Sequence, residues 1–231
     1  MSDVLQAPPV PRVPVAGGGS FPVRRIYCVG RNYVEHAIEM GDTGREPPFF
    51  FLKPADSVVP VEAGQTGRMR YPSLTQDLQH EVELVVAIGR GGSRIPAAEA
   101  LGHVWGYAVG LDMTRRDLQG EMKKKGRPWC IGKGFDASAP IGPITPAAQA
   151  PGVLDAPITL AVNGEVRQHS RTGKLIWNVA EVIEHLSAAW TLAPGDLIYT
   201  GTPEGVGTVV AGDLLEARIE GLEPLRVSIV A

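Results

Sequence analysis

The sequence predicts a β-rich α+β fold, a mixed β-roll or distorted barrel, and three observations carry that reading. Short apolar runs bounded by Pro and Gly recur along the 231 residues, which include 20 prolines and 28 glycines. Helices are few; the clearest runs from Asn178 to Ala189, with Val179, Val182, Ile183 and Leu186 at helical spacing. No βαβ alternation is present, which argues against a doubly wound sheet.

The elements follow in order. Residues 1–20 are rich in Pro, Val, Ala and Gly, end in Gly17-Gly18-Gly19-Ser20, and are read as a flexible N-terminal arm. A single domain is expected over 21–231. Arg25–Gly30 is a short apolar strand, and a helical stretch from Tyr33 to Met40 stops at Gly41. Phe49–Lys53 is a second strand, closed by Pro54. His80–Gly89 is a third, apolar on both faces as in a buried strand. A helix around Pro96–His103 precedes the strand Val104–Leu111, which ends at Asp112. Thr114–Gly126 is polar, either helix or loop. Ile158–Val162 and Glu165–His169 flank Asn163-Gly164, the pair that suits a type I′ hairpin turn. Leu197–Thr200, Leu214–Ile219 and Leu225–Val230 complete a β-rich C-terminal half.

Composition narrows the function. With 44% hydrophobic and 20% charged residues, the chain reads as an ordinary globular protein. A net charge of −3, with Lys123-Lys124-Lys125 as its one basic block, gives no nucleic-acid or membrane surface. Cys28 and Cys130 form no CxxC and no disulfide framework, so a reducing, cytoplasmic setting is expected. No membrane-length apolar run or signal peptide is evident.

Glu81 and Glu83 are separated by one residue on an apolar strand, so their carboxylates share a face. Crowded together and dehydrated, they either hold a proton or need a cation. With Asp112 they offer oxygen ligands suited to Mg²⁺, Mn²⁺ or Ca²⁺. The alternative is a pair of solvent-facing glutamates on an edge strand, and residue chemistry leaves both open. His36 and Glu39 lie three apart on the expected helix, either as a surface pair or as a base whose tautomer a carboxylate fixes. Lys133, between glycines and large apolar groups, is either a snorkelling lysine or an ammonium facing an anion. The Gly-rich turn Tyr199–Gly207 lacks the Gly-Lys-Ser/Thr end of a P-loop; it is a tight turn or a carboxylate cradle. The tryptophans at 105, 129, 177 and 190 are read as core, and the remaining histidines, at 80, 103, 169 and 185, show no metal-ligand spacing.

Several of these pieces occur in one order in a known family. Cys28-Val29-Gly30-Arg31-Asn32-Tyr33, Phe51-Leu52-Lys53-Pro54, His80-Glu81-Val82-Glu83, Gly106-Tyr107 through Leu111-Asp112-Met113-Thr114-Arg115-Arg116-Asp117, Lys123-Lys124-Lys125-Gly126-Arg127-Pro128-Trp129 and Thr200-Gly201-Thr202-Pro203 resemble the fumarylacetoacetate hydrolase family. The likeness is to its short single-domain members: acylpyruvases, fumarylpyruvate hydrolases and oxaloacetate decarboxylases. It implies the family's β-roll, a homodimer, and a small 2-oxo acid as substrate. It also implies Mg²⁺ or Mn²⁺ on Glu81, Glu83 and Asp112, and a water-activating dyad of His36 and Glu39. Lys133 would act in catalysis, with Arg31, Gln119 and Thr202 at substrate-contacting positions. Glu204 departs from the pattern, a lysine being common there. The expected reaction is hydrolysis of the C–C bond of an acylpyruvate, fumarylpyruvate first, with oxaloacetate decarboxylation or a related isomerase or hydratase reaction as the alternative.

Overall fold

A computed structural model describes residues 4–33 and 46–231. The helix expected over Tyr33–Met40, with His36 and Glu39, lies outside the described residues apart from Tyr33 itself, which makes a β-bridge to Leu175. Among the described residues no helix is long and apolar enough to cross a membrane.

The strands are β1 (Arg12–Pro14), β2 (Ser20–Pro22), β3 (Arg25–Gly30), β4 (Phe49–Lys53), β5 (Val58–Pro60) and β6 (Gly67–Arg70). β7 (Leu78–His80), β8 (Val82–Ile88), β9 (Val104–Leu111), β10 (Thr114–Arg115), β11 (Ala139–Ile141) and β12 (Thr145–Pro146) follow. The C-terminal part adds β13 (Pro157–Val162), β14 (Glu165–Arg171), β15 (Asp196–Tyr199), β16 (Gly207–Val209), β17 (Leu214–Ile219) and β18 (Leu225–Val230). The largest sheet runs β4-β3-β15-β8-β9-β11-β5 with β12 beside β9, and it curls into a half-barrel. A five-stranded sheet, β14-β13-β17-β18-β6, packs against it, and β10-β7-β16 forms a small third sheet. The β-rich mixed roll is therefore the architecture found.

Burial on both faces of the large sheet explains why its strands read as continuous apolar runs. From β8, Val85 and Ala87 enter one core cluster with Ile26, Cys28, Leu197 and Tyr199. Val82, Leu84, Val86 and Ile88 enter the other, with Ile158, Leu160, Leu215 and the apolar stripe Val182, Ile183 and Leu186 of the long helix. That helix, Val179–Ala189, starts at a capping box in which Asn178 accepts from Glu181 N–H and Glu181 accepts from Asn178 N–H. In β9 the residue facing Tyr199 must be glycine, since a Cβ on Gly110 would stand 2.7 Å from that ring. The hairpin at Asn163-Gly164 forms as expected, both residues at positive φ (52° and 83°).

Two expectations need correction. The arm reading of residues 1–20 fails for 12–20: β1 pairs with β2, and Val13 is fully buried in the core. The Gly-rich stretch is the hairpin turn, with Gly17, Gly18 and Gly19 all at positive φ. The strand expected over His80–Gly89 is broken at Glu81; Leu78–His80 belongs to the small sheet and Val82–Ile88 to the large one.

At the start of β15, buried Asp196 accepts from Arg24 at 3.2 Å, from Arg25 at 3.1 and 2.8 Å, and from Ala193 N–H at 2.8 Å. The arginines keep partial access to water, so Asp196→Ala strands no fully buried charge. The substitution is expected to cost about 2–3 kcal/mol. Denaturant melts of wild type and variant measure it, and a loss under about 1 kcal/mol would show the carboxylate to be dispensable.

Candidate active site

The break at Glu81 is what builds the site. It lies where β7 leaves one sheet and β8 enters another, while Asp112 N–H still reaches Glu81 O at 2.9 Å from the end of β9. Asp112 thus ends the strand beside the one that carries Glu83. One oxygen from each of Glu81, Glu83 and Asp112 lies within 4.8 Å of the other two, and all three residues are buried. The solvent-exposed alternative for the two glutamates is therefore excluded.

Three cations surround this cluster, Lys133 and Lys53 buried and Arg116 partly so. Lys133 Nζ donates to Glu81 Oε2 at 2.7 Å and to Asp112 Oδ2 at 2.8 Å. Lys53 Nζ stands 2.8 Å from Asp112 Oδ1, outside hydrogen-bond geometry, and donates to Met113 O at 3.1 Å and to Lys133 O. Arg116 donates to Glu81 Oε1 and, through Nε, to Gln79 Oε1 at 2.7 Å. Burial works against the Lys133 ammonium, but attraction to Asp112 and Glu81 outweighs it and holds its pKa above the ordinary value. Lys133 is thus an interior lysine, 3% exposed, and the snorkelling alternative does not hold.

Glu83 has a different environment. Its Oε2 accepts from Gly201 N–H at 2.8 Å. Burial first, then repulsion from Asp112 and Glu81, pushes its carboxyl well above the usual carboxylate range, against the pull of Gly201 and Lys133. Gly201 can aim its N–H there because it sits at φ 104°, with Asn32 so close that a Cβ would stand 2.7 Å from that of Asn32. Asn32 in turn donates to Thr200 O and Trp177 O and accepts from Trp177 N–H, bracing the turn from below.

These groups open onto a small cavity lined among others by Arg31, Phe51, Trp129, Gln119, Lys133 and Thr202. Lys133 reaches it from the short helix Cys130–Lys133, which packs directly on the helix Arg116–Lys124. Gly132 permits the approach, because a Cβ there would stand 2.7 Å from the Cβ of Gln119. Gln119 Oε1 accepts from Arg116 at 3.4 Å, while its buried Nε2 has no partner among the described residues. Trp129 meets Phe49 and Phe51 with ring centroids 5.2 and 5.9 Å away, so it is a wall of the cavity, not the core residue expected. None of the four tryptophans is fully buried. Glu204, at the far end of the turn, acts with burial and Glu83 to raise the Tyr33 hydroxyl.

The structure thus brings together Glu81, Glu83, Asp112, Lys133, Arg31, Gln119 and Thr202, while His36 and Glu39 lie outside the described residues. Lys53, Arg116 and Asn32 escaped a residue-by-residue reading. Lys53 carries one signal: a charge ending the apolar run Phe49–Leu52.

The chain matches the family description "Fumarylacetoacetate (FAA) hydrolase C-terminal" over residues 25–230. It belongs to the fumarylacetoacetate hydrolase family. A crystal structure of fumarylpyruvate hydrolase from Pseudomonas aeruginosa, in complex with Mn²⁺ and pyruvate, is 55% identical, with a TM-score of 0.97 and 99% of each chain covered. Fumarylpyruvate hydrolase of Ralstonia sp is 46% identical across 81% of this chain and 95% of its own. Oxaloacetate tautomerase FAHD1, mitochondrial, of Rattus norvegicus is 42% identical across 88% of this chain and 90% of its own. The fumarylpyruvate hydrolases among these relatives support a hydrolase acting on carbon–carbon bonds.

Proposed function

We propose that the protein hydrolyses the C3–C4 bond of an acylpyruvate, fumarylpyruvate giving fumarate and pyruvate. The observation that carries this reading is the buried carboxylate triad opening onto a cavity lined by donors. Three carboxylate oxygens with no nitrogen or sulfur suit a hard cation, and burial, then repulsion from Asp112 and Glu81, raises the Glu83 carboxyl beside them. The cofactor is a divalent cation, Mg²⁺ or Mn²⁺, held by Glu81, Glu83 and Asp112. When bound, it supplies Lewis acidity for polarising a carbonyl and neutralises the triad.

The chain's own groups do the rest. Arg31 and Thr202 meet the substrate carboxylate. Gln119 points its unpartnered Nε2–H toward a substrate oxygen that gains charge, and the Lys133 ammonium steadies the same charge. His36, oriented by Glu39, takes a proton from water, and the hydroxide attacks the 4-carbonyl carbon. The C3–C4 bond breaks with its electron pair on the three-carbon fragment, which gains a proton to become pyruvate; the acyl fragment leaves as the carboxylic acid.

The likeness to an oxaloacetate tautomerase favours a second reading, in which the same site acts on oxaloacetate by tautomerisation or decarboxylation without water attack. Loss of ultraviolet absorbance across a panel of acylpyruvates and oxaloacetate, with and without Mg²⁺, separates the two. Metal-dependent turnover of fumarylpyruvate well above that of oxaloacetate is expected; the reverse order would overturn the hydrolase assignment. A homodimer in the cytoplasm belongs to the same proposal, and sedimentation at the monomer mass would remove the first part of it.

A pH dependence follows from Glu83. Its neutral form is favoured in the fold, so its contribution to stability is complete below the ordinary carboxylate pKa and is lost as pH rises through the raised value. For protein held in chelator, Tm is expected to fall across that window, and the Tm gain on adding Mn²⁺ to grow across it. A gain independent of pH would contradict this account of the triad.

A further inference from the structure

β14 is the edge strand of the five-stranded sheet, and its inward positions are polar. Gln168 and Ser170 are buried there, whereas Val166 is 60% exposed. Gln168 is sealed from water, yet every hydrogen-bonding position of its amide is used. Oε1 lies 3.0 Å from both Val82 N–H and His80 Nδ1, and Nε2 donates to Thr202 Oγ1 and to Pro203 O at 2.8 Å each. A backbone N–H only donates and a carbonyl only accepts, so Val82 and Pro203 fix which end of the amide is which. His80 must therefore carry its hydrogen on Nδ1. Thr202 must accept from the amide, and it gives its own hydroxyl hydrogen to Val82 O at 2.9 Å.

Val82 is the residue between Glu81 and Glu83. β15 covers β8 only as far as Tyr199 opposite Val85. Thr200 then reaches Leu84 O through both N–H and Oγ1, and the chain turns away at Gly201. Past that point side chains replace the missing strand: Gln168 takes the Val82 N–H and Thr202 takes its carbonyl.

We propose that Gln168 is the positioning residue of this site, its amide fixing Val82, and so the spacing of Glu81 and Glu83, while orienting Thr202. Because the Thr202 hydroxyl hydrogen is committed to Val82, a substrate carboxylate meets Thr202 through its backbone N–H. The packing agrees: a Cβ on Gly205 would stand 2.2 Å from Arg167 O, so the turn rests directly on β14. The proposal rests on the metal reading above and goes beyond it.

Gln168→Met removes all four bonds with little change in volume. Its affinity for Mn²⁺, titrated by calorimetry, is expected to fall about 10–100-fold, as for other outer partners of metal ligands. KM for fumarylpyruvate is expected to rise by a larger factor than kcat falls. Ser170→Ala, two residues along the same inward face, is expected to match wild type in both. Wild-type affinity and KM in Gln168→Met overturn the proposal and leave the metal reading intact. Absence of Mn²⁺ binding in wild type overturns the metal reading and the proposal with it. If Gln168→Met does not fold, ¹⁵N spectra of His80 in the wild-type protein decide. A hydrogen on Nδ1 supports the network, and one on Nε2 overturns it.

Discussion

Glu83→Ala is expected to lower Mn²⁺-dependent turnover of fumarylpyruvate by about a thousandfold or more, near 4 kcal/mol of barrier, with an unchanged far-ultraviolet spectrum. Glu83 is the member of the triad whose bonding is least shared: one backbone N–H, from Gly201, and no direct ion pair among the described residues. Its removal should relieve repulsion, so the chelator-treated variant should melt no lower than wild type from charge alone. Asp112→Ala is expected to behave differently. It would leave Lys53 and Lys133 facing each other without the carboxylate they share, a loss of about 3–5 kcal/mol on top of the lost turnover. Thermal melts of both variants in chelator, beside assays in saturating Mn²⁺, separate the two effects. Undiminished turnover in Glu83→Ala would remove that residue from the metal site.

His36→Ala is expected to slow acylpyruvate hydrolysis by about 10²–10⁴-fold while changing oxaloacetate decarboxylation by less than about tenfold. Hydrolysis needs a water to lose its proton before it can attack the 4-carbonyl; decarboxylation loses CO₂ from a carboxylate and needs no such base. Glu39→Gln should follow the same pattern more weakly, because the imidazole remains but loses the carboxylate that orients it. Parallel assays of both reactions on one preparation of each variant supply the ratio. Equal losses in the two reactions would mean that this pair does not activate water.

The apolar strands were legible because burial on both faces favours hydrophobic residues in the chain, as in Leu84–Ile88 of β8. The Asn163-Gly164 turn and the helix after Asn178 were legible because their signals are local: positive φ in one, a capping box and a 3.6-residue period in the other. The strand break at Glu81 was not, since His80–Gly89 keeps an extended pattern while its pairing partners change from one sheet to another. Nor was the order of Arg12–Ser20, where a composition typical of linkers also suits a tight hairpin that buries Val13 and Pro14. In the site, the three carboxylates announced themselves through spacing and through the buried strands that end in them. Lys53, Asn32 and Gln168 did not, because each works through long-range partners: Lys133 O, Trp177 and Val82 are 80, 145 and 86 positions away. A polar side chain at an inward strand position, as at Gln168, is the one local trace such residues leave.

The proposed function has Glu81, Glu83 and Asp112 hold the cation at which an acylpyruvate is cleaved. Its most direct test is to strip the protein with chelator, add fumarylpyruvate, and titrate Mn²⁺ back while following substrate absorbance and pyruvate together. Activity should be absent at the start, should saturate at one Mn²⁺ per chain, and should release one pyruvate for each substrate lost. Turnover that survives chelation, or substrate loss without pyruvate, would contradict the account.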